Sequence, residues 1–234
     1  MTADEIVAQI KPLGKDSYKK VLQSHGIPEP VFGVKIEELK KIQKKVKKDY
    51  RLALELYDTG IYDARYLAGL IADDLQMTRS DLQRWVGQAN CDSLSEYTVP
   101  WVAAEGKHGA ELAREWIESP KEHIAATGWA TLGCLAALKD DAELDLAWWK
   151  QLLKRVEKTI HQQPNRVRYT MNGFVIAVGS YVKPLADLAV QTAEKVGRVS
   201  VDMGGTACKV PYAPEYIQKV RSRGAFKKRK TVKC

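Results

Sequence analysis

Apolar residues recur at helical spacing along nearly the whole chain. After the two prolines of GIPEPVFG, for example, Val34, Ile36, Leu39, Ile42 and Val46 follow one another at intervals of two to four residues. This spacing places them on one face of an α-helix, and the lysines between them fall mostly on the other face. Similar stretches elsewhere predict a chain made almost entirely of helices.

Three segments differ from this pattern because small and apolar residues occupy almost every position. They cover residues 61–76, 123–138 and 167–181, and their first residues are 62 and 44 positions apart. Amphipathic helices flank each of them, and a helix over residues 93–104 fills the longer interval. This alternation is typical of an α-solenoid of HEAT-like helix pairs with a repeat of about 30–45 residues. An irregular all-α bundle is the alternative, and FVIAVGSYV in the third segment is by itself also compatible with a strand.

The predicted all-α chain has three parts. Residues 1–197 form the HEAT-like helical repeat domain, since Gly197 ends the last strongly periodic helix. Residues 198–224 are a turn-rich extension with one short helix. Residues 225–234, AFKKRKTVKC, have no apolar periodicity, so we expect this basic tail to be mobile in the free protein.

The positive charge is concentrated in few places. The net charge is +8, and residues 216–234 contain eight bases and no acid, so residues 1–215 have no net charge. Two stretches of this neutral body, residues 35–51 and 150–168, are each at net +5. Such separation predicts one positive and one negative face on the molecule.

Composition excludes several classes of protein. The 45 % hydrophobic content is ordinary for a globular chain and excludes extensive disorder. No run of 18 apolar residues predicts a membrane span, and the first residues lack the features of a secretory signal. The four cysteines are widely spaced without a CxxC pair, which favours a reduced, cytoplasmic protein. The four histidines are scattered, so we expect no metal site and no cofactor.

Candidate chemistry is densest in ANCDSLSEYTVPW. Cys91, Asp92, Ser93, Ser95 and Glu96 lie within six residues of one another. One interpretation is structural: Asp92 or Ser93 begins a helix, and Glu96 completes a capping box with Ser93. The other interpretation is that the acids of this cluster are catalytic.

Four segments together resemble the DNA alkylation repair (AlkD-like) family over nearly the whole chain. They are GIPEPVFGVKIEELKKI, CDSLSEYTVPW, VRYTMNGFVIAVGSY and VDMGGTACKVPYAPEYIQKVRSRG with the tail KKRKTVKC. The resemblance implies a superhelix of HEAT-like helix pairs that binds duplex DNA on a basic concave face. It also implies a DNA glycosylase that hydrolyses the N-glycosidic bond of N3- or N7-alkylated purines without flipping the base.

The family's catalytic positions are only partly matched. The family places an aspartate between two tryptophans, in a pattern W-D-S-x-D that corresponds to Cys91 through Ser95 here. Ser95 therefore stands at the position of the catalytic aspartate, and Phe174 lies close to that of the second tryptophan. Since serine cannot supply a negative charge, catalysis would require Asp92 or Glu96. Cys91, Trp101 and Phe174 are the expected wall of this site.

We expect duplex DNA as the partner of a monomeric protein. The alternative is a non-catalytic HEAT-repeat scaffold that binds a DNA structure or another protein. The predicted nucleic-acid contacts are lysine and arginine residues of the two basic stretches and the tail. They are Lys40, Lys44, Lys45, Lys48, Arg166, Arg168, Lys227, Lys228, Arg229 and Lys230.

Overall fold

The computed structural model describes residues 1–233, which consist of α-helices and connecting turns with no strand. The all-α prediction is confirmed, and FVIAVGSYV lies within a helix. The helices of these residues are α1 (Ala3–Ile10), α2 (Asp16–Ser24), α3 (Ile36–Val46), α4 (Tyr50–Asp58), α5 (Tyr62–Ile71), α6 (Arg79–Gln88), α7 (Val99–Glu105), α8 (Gly109–Trp116), α9 (Glu122–Leu138), α10 (Leu146–Thr159), α11 (Asn165–Tyr181), α12 (Ala186–Val196) and α13 (Ala213–Arg221).

The small, apolar segments form an inner row of helices. In this row α5 packs against α7 and the turn before it, α7 packs against α9, and α9 packs extensively against α11. Small residues allow the inner helices to approach their partners closely. A Cβ atom added at Gly128 of α9, for example, would lie 2.7 Å from the backbone nitrogen of Ile117 after α8. The predicted extra helix in the longer interval is α7.

Amphipathic helices α4, α6, α8, α10 and α12 form the outer row. Ion pairs join successive members of this row at sequence separations of 31 to 38 residues, close to one repeat. They include Arg79–Glu111 at 2.9 Å, Arg114–Asp145 at 2.8 Å and Lys195–Glu157 at 3.1 Å. The recurring separation is what a solenoid of stacked helix pairs requires, because each pair contacts only its neighbours.

The hydrophobic core lies between the two rows. Its buried residues form one cluster that is largely N-terminal and a second that is largely C-terminal. In the first, the rings of Tyr57 and Trp85 stack with centroids 4.1 Å apart. In the second, Phe174 lies between Trp129 and Trp149, with ring centroids 5.3 and 5.5 Å away. The tryptophans are therefore mainly packing residues.

The C-terminal segment (residues 225–233) crosses the carboxyl ends of the inner helices. The amide N–H of Phe226 donates to the carbonyl of Ser180 in α11 (3.2 Å), and that of Arg229 donates to Ala137 in α9 (2.7 Å). Further along, the carboxylate of Glu105, the last residue of α7, accepts the amide N–H of Val232 at 2.8 Å. The carboxyl ends of α7, α9 and α11 therefore lie along one edge.

The segment ends beside α5. Val232 is buried in the first core cluster. The ammonium of Lys233 lies 3.4 Å from the carbonyl of Ala72 and 2.6 Å from the buried carboxylate of Asp74. The expectation of a mobile tail is wrong for residues 225–233, because polar contacts to helix ends hold them in place. Cys234, the last residue of the predicted tail, lies outside the described residues, and the boundaries at residues 197 and 224 stay predictions.

Within residues 1–233, no single helix is long and apolar enough to cross a membrane. One pair of consecutive helices is long and apolar enough only when the two are taken together. These helices are Asn165–Tyr181 and Lys183–Val196, with a bend of 113° between them. Most of α11, the first of the two, is buried in the second core cluster. The same part of the chain contains no group of three or more His, Cys, Asp or Glu side chains placed to hold a metal ion.

Candidate nucleic-acid interface

The polar cluster lies where the chain enters a π-helical turn. This turn covers Leu94–Thr98, and the amide N–H of Val99 bonds the carbonyl of Leu94 five residues earlier. Pro100 accounts for the widened turn, because it has no N–H to bond the carbonyl of Glu96 in an ordinary α-helix. The turn redirects the side chains that follow Ser93.

The predicted capping box is wrong. Ser93 makes no side-chain capping bond, and its hydroxyl lies 2.9 Å from that of Tyr62 in α5. The Glu96 side chain turns away from the helix start and contacts Arg166 in α11. A bidentate pair between a carboxylate and a guanidinium, both charged, is stronger than a single bond from the carboxylate to a backbone N–H, and this difference explains why Glu96 pairs with Arg166.

Arg166 joins the two candidate acids. Its Nε and Nη2 donate to the two carboxylate oxygens of Glu96 at 2.6 and 2.7 Å, and Nε lies 3.0 Å from Asp92 Oδ2. The Glu96 side chain is 2 % exposed, whereas that of Asp92 is 49 % exposed. The guanidinium also lies over the Tyr169 ring, 4.6 Å from its centroid. Glu96, Asp92 and Arg166 thus form one closed cluster.

Burial determines how these groups titrate. It raises the pKa of Glu96 to about 7, although the hydrogen bonds and charge of Arg166 oppose the shift. Burial also raises the pKa of Asp92, again against the charge of Arg166. Burial alone would lower the pKa of Arg166, but its bonds to Glu96 and the two carboxylate charges raise it. Arg166 therefore stays protonated and pairs with any acid of the cluster that ionises.

Two residues at positions that the family resemblance makes catalytic, Ser95 and Cys91, carry no charge. Ser95 is 1 % exposed, and its hydroxyl lies 3.3 Å from the carbonyl oxygen of Cys91 and 3.4 Å from that of Asp92. Burial raises the pKa of the Cys91 thiol to about 11, so the thiol is protonated at neutral pH. Neither side chain supplies a charge or an aromatic face.

An aromatic cleft of about 330 Å³ lies next to this cluster. Trp101 and Phe174 line it, as expected of the site wall, but Cys91 lies outside it in a separate surface depression beside His123. The remaining aromatic lining residues of the cleft were not predicted as site residues. They are Tyr97, Trp129, Tyr169 and Tyr181. Only their convergence from the π-helical turn, α9 and α11 identifies them, so no local motif could have done so.

The predicted basic residues lie in two separate places. Lys48 lies 3.0 Å from Asp74, which also binds Lys233, so the end of α3 lies beside the C-terminal segment. Arg166 and Arg168 lie at the amino end of α11, about 25 Å along that helix from its carboxyl end. The tertiary structure therefore does not unite the two basic stretches at one edge.

Basic side chains from distant parts of the chain instead meet at the carboxyl ends of the inner helices. We call this group the basic edge; it consists of Lys48, Lys227, Lys228, Arg229, Lys230 and Lys233. Cations are favourable here because the negative ends of the helix dipoles lie here. Lys228 is already bonded to Asp141 at 2.8 Å and to the carbonyl of Ala136 at 3.0 Å. Lys227, Arg229 and Lys230 are exposed.

Comparison with protein families decides the relationship of the chain. A family model described as "DNA alkylation repair enzyme" matches residues 6–217. The chain belongs to this family. Two bacterial relatives, the uncharacterized proteins Lin0241 of Listeria innocua and Lmo0209 of Listeria monocytogenes, are each 32 % identical over 229 residues, which is 95 % of this chain and 99 % of theirs.

A solved structure confirms the HEAT-like fold of this DNA alkylation repair family member. It matches with a TM-score of 0.91 and 37 % identity, and the match covers 100 % of both chains. That structure is described as "A new family of proteins related to the HEAT-like repeat DNA glycosylases with affinity for branched DNA structures". The inner and outer rows are therefore the two layers of a HEAT-like solenoid.

Proposed function

We propose that this family member binds DNA, prefers branched structures to plain duplex, and does not excise bases. The observation that supports the absence of excision is the closed cluster around Arg166. Ser95 stands at the position of the catalytic aspartate with its hydroxyl buried against backbone carbonyls, and Glu96 is bonded through both oxygens to Arg166. Affinity for branched DNA is the property of the structural relative and comes to this chain by proposal.

The lack of an available carboxylate bears directly on the rate of base excision. A group placed to stabilise transition-state charge contributes about 3–4 kcal/mol, or a factor of 10²–10³. Glu96 is 2 % exposed, so its carboxylate would have to leave Arg166 before meeting a sugar. Leaving Arg166 buried without its partner costs roughly 3–5 kcal/mol. Asp92 is more exposed, but it shares the same guanidinium.

The basic edge supports the DNA-binding part of the proposal. Lys227, Arg229 and Lys230 are exposed there, and Lys44 and Lys45 are exposed in the last turn of α3. Basic side chains spaced along this edge suit the phosphates of a DNA backbone that follows it. Each phosphate contact releases counterions from the DNA. A branch point presents two DNA backbones at an angle. It therefore contacts more of the exposed lysine and arginine side chains than one straight duplex does.

Equilibrium binding of fluorescent DNA tests the proposal. We expect a four-way junction to bind more tightly than a duplex of the same arm sequence, and log Kd to rise linearly with log[salt] for both. A Kd that does not change with salt, or the absence of DNA affinity, would contradict DNA binding and favour the scaffold interpretation.

A separate assay tests the absence of excision. Duplex DNA that contains N7-methylguanine is incubated with the protein, and abasic sites are detected by alkaline strand cleavage. We expect no cleavage above that of buffer. Enzymatic release of the base that is abolished by Asp92→Asn or Glu96→Gln would show a working glycosylase and overturn this part.

A further inference from the structure

The aromatic cleft has the form of a stacking site. Tyr97 is 42 % exposed at its mouth, while Trp101, Trp129 and Phe174 are almost fully buried at its floor. The rings of Tyr97 and Trp101 are 6.1 Å apart and tilted, and Tyr169 of α11 also lines the cleft.

Small residues make the cleft deep enough to enter. Gly133 and Gly173 lie on the facing surfaces of α9 and α11, and a Cβ atom added at Gly173 would meet nothing within 4 Å. The volume of about 330 Å³ is well above the roughly 150 Å³ that admits a benzene ring. A planar ring system of one or two rings fits between the helices.

The cleft opens at each end into a larger cavity. One is a polar cavity of about 530 Å³, which shares Glu96, Tyr97 and Tyr169 with the cleft and whose lining combines Arg166 and Lys209 with the acids Asp92 and Asp202. The other is a basic cavity of about 710 Å³ that shares Tyr181 and Arg229 with the cleft and contains further lysine and arginine side chains of the C-terminal segment. An apolar, aromatic centre with a cationic cavity at one end matches a nucleotide, with its base in the cleft and its phosphate in the basic cavity.

We propose that the aromatic cleft takes up one unpaired base at the branch point of a bound DNA. The inference rests on the proposed DNA-binding function and adds to it the feature that is recognised. A planar base could also come from a free nucleoside, but the basic cavity formed by the C-terminal segment favours a base that carries a phosphate. The fully paired arms of the DNA would then lie outside the cleft, against the exposed lysine and arginine side chains of the basic edge.

Fluorescence of 2-aminopurine tests the proposal, since this base is quenched when it stacks on an aromatic ring. Two otherwise identical three-way junctions are compared, one with 2-aminopurine unpaired at the branch and one with it paired within an arm. We expect the full-length protein to change the fluorescence of the first only, and to bind it more tightly than a junction without unpaired bases.

Variants of exposed tyrosines give a matched comparison. Tyr97→Ala is expected to weaken binding of the unpaired-base junction about tenfold, within the range for loss of one stacking contact, and to leave affinity for the fully paired junction unchanged. Tyr97→Phe should retain the preference. Tyr50→Ala is the control, because Tyr50 is a partly exposed tyrosine on α4 of the outer row and lines neither the cleft nor the cavities at its ends.

The outcomes separate the two proposals. Loss of all DNA affinity would contradict the proposed function itself. Salt-dependent binding with equal affinity for paired and unpaired junctions, and no fluorescence change in the wild type, would overturn the cleft alone, even if Tyr97→Ala did not fold. Equal quenching of the free 2-aminopurine nucleoside would overturn the assignment to DNA in favour of a nucleoside site.

Discussion

Arg166 and Glu96 lie 70 residues apart in the chain and form a bidentate pair in a nearly dry site. The pair engages both carboxylate oxygens of Glu96, one of the two candidate acids. It also explains why the local pattern was misleading, since Ser93 and Glu96 have the spacing of a capping box. A partner from another helix competes for the acid, and no local rule describes that competition.

Titration of Glu96 gives a prediction at this scale. The acid has an ordinary pKa of 4.5 and a pKa of about 7 in the folded protein. Between these values the folded chain retains a proton that the unfolded chain has released, so the free energy of unfolding decreases as pH rises through this window. Glu96→Gln should remove that decrease, as measured by urea denaturation at several pH values.

The control for this prediction is Glu118→Gln. Glu118 also pairs with an arginine, Arg155, but its side chain is 63 % exposed. We expect this variant to retain the wild-type pH dependence. Parallel pH dependence in wild type and Glu96→Gln would contradict the titration assigned to Glu96.

At the scale of elements, close packing of the inner row determines where a side chain is tolerated. Gly128 of α9 faces the end of α8, and a Cβ atom there would meet the backbone of Ile117 and Trp116 at 2.7 and 3.0 Å. Backbone cannot rotate out of the way as a side chain does. The space between α8 and α9 therefore depends on this glycine.

Two glycine substitutions test this packing. Gly128→Ala should lower the free energy of unfolding by about 1–3 kcal/mol, because overpacking forces the two helices apart. Gly87→Ala in α6 should raise it by roughly 0.5–1 kcal/mol, since the position is exposed, has open space and gains helix propensity. Urea denaturation measures both changes. Equal effects of the two substitutions would show that the helices move apart freely.

At the scale of the whole molecule, the fold redistributes the charge. The net charge of +8 equals that of residues 216–234, and the structure places much of it along the carboxyl ends of the inner helices. Lys228 and Lys233 are bonded to Asp141 and Asp74 there, while Lys227 and Lys230 remain exposed. The C-terminal segment thus both holds the inner helices together and presents charge to a partner.

Two neighbouring lysines separate these roles. Lys228→Ala should lower the free energy of unfolding by about 1–2 kcal/mol, because it removes a partly buried pair and a bond to a helix end. Lys230→Ala should leave stability within about 0.5 kcal/mol. It should weaken DNA binding and lower the slope of log Kd against log[salt] by about 1. Identical effects of both variants on stability and on the slope would contradict this division.

The sequence by itself determined where the helices lie and how they repeat. It also distinguished the small-residue helices of the inner row from the amphipathic helices of the outer row. Helical periodicity and small-residue composition are local properties, so the segments at 123–138 and 167–181 coincide with α9 and α11 to within a few residues. The family resemblance, which covers nearly the whole chain, also predicts that Ser95 stands at the catalytic position. These features require only neighbours in the chain or a matching pattern.

Only the tertiary structure decided what the polar groups do. It joined Glu96 to Arg166, separated Cys91 from Trp101 and Phe174, and ordered residues 225–233 against helix ends. The physical reason is that such contacts depend on desolvation and on partners tens of residues away, and they leave no period in the sequence. Burial of apolar side chains on one helix face produces a repeating pattern in the sequence. An ion pair or a hydrogen bond to a helix-end carbonyl joins only two residues, so it produces no such pattern.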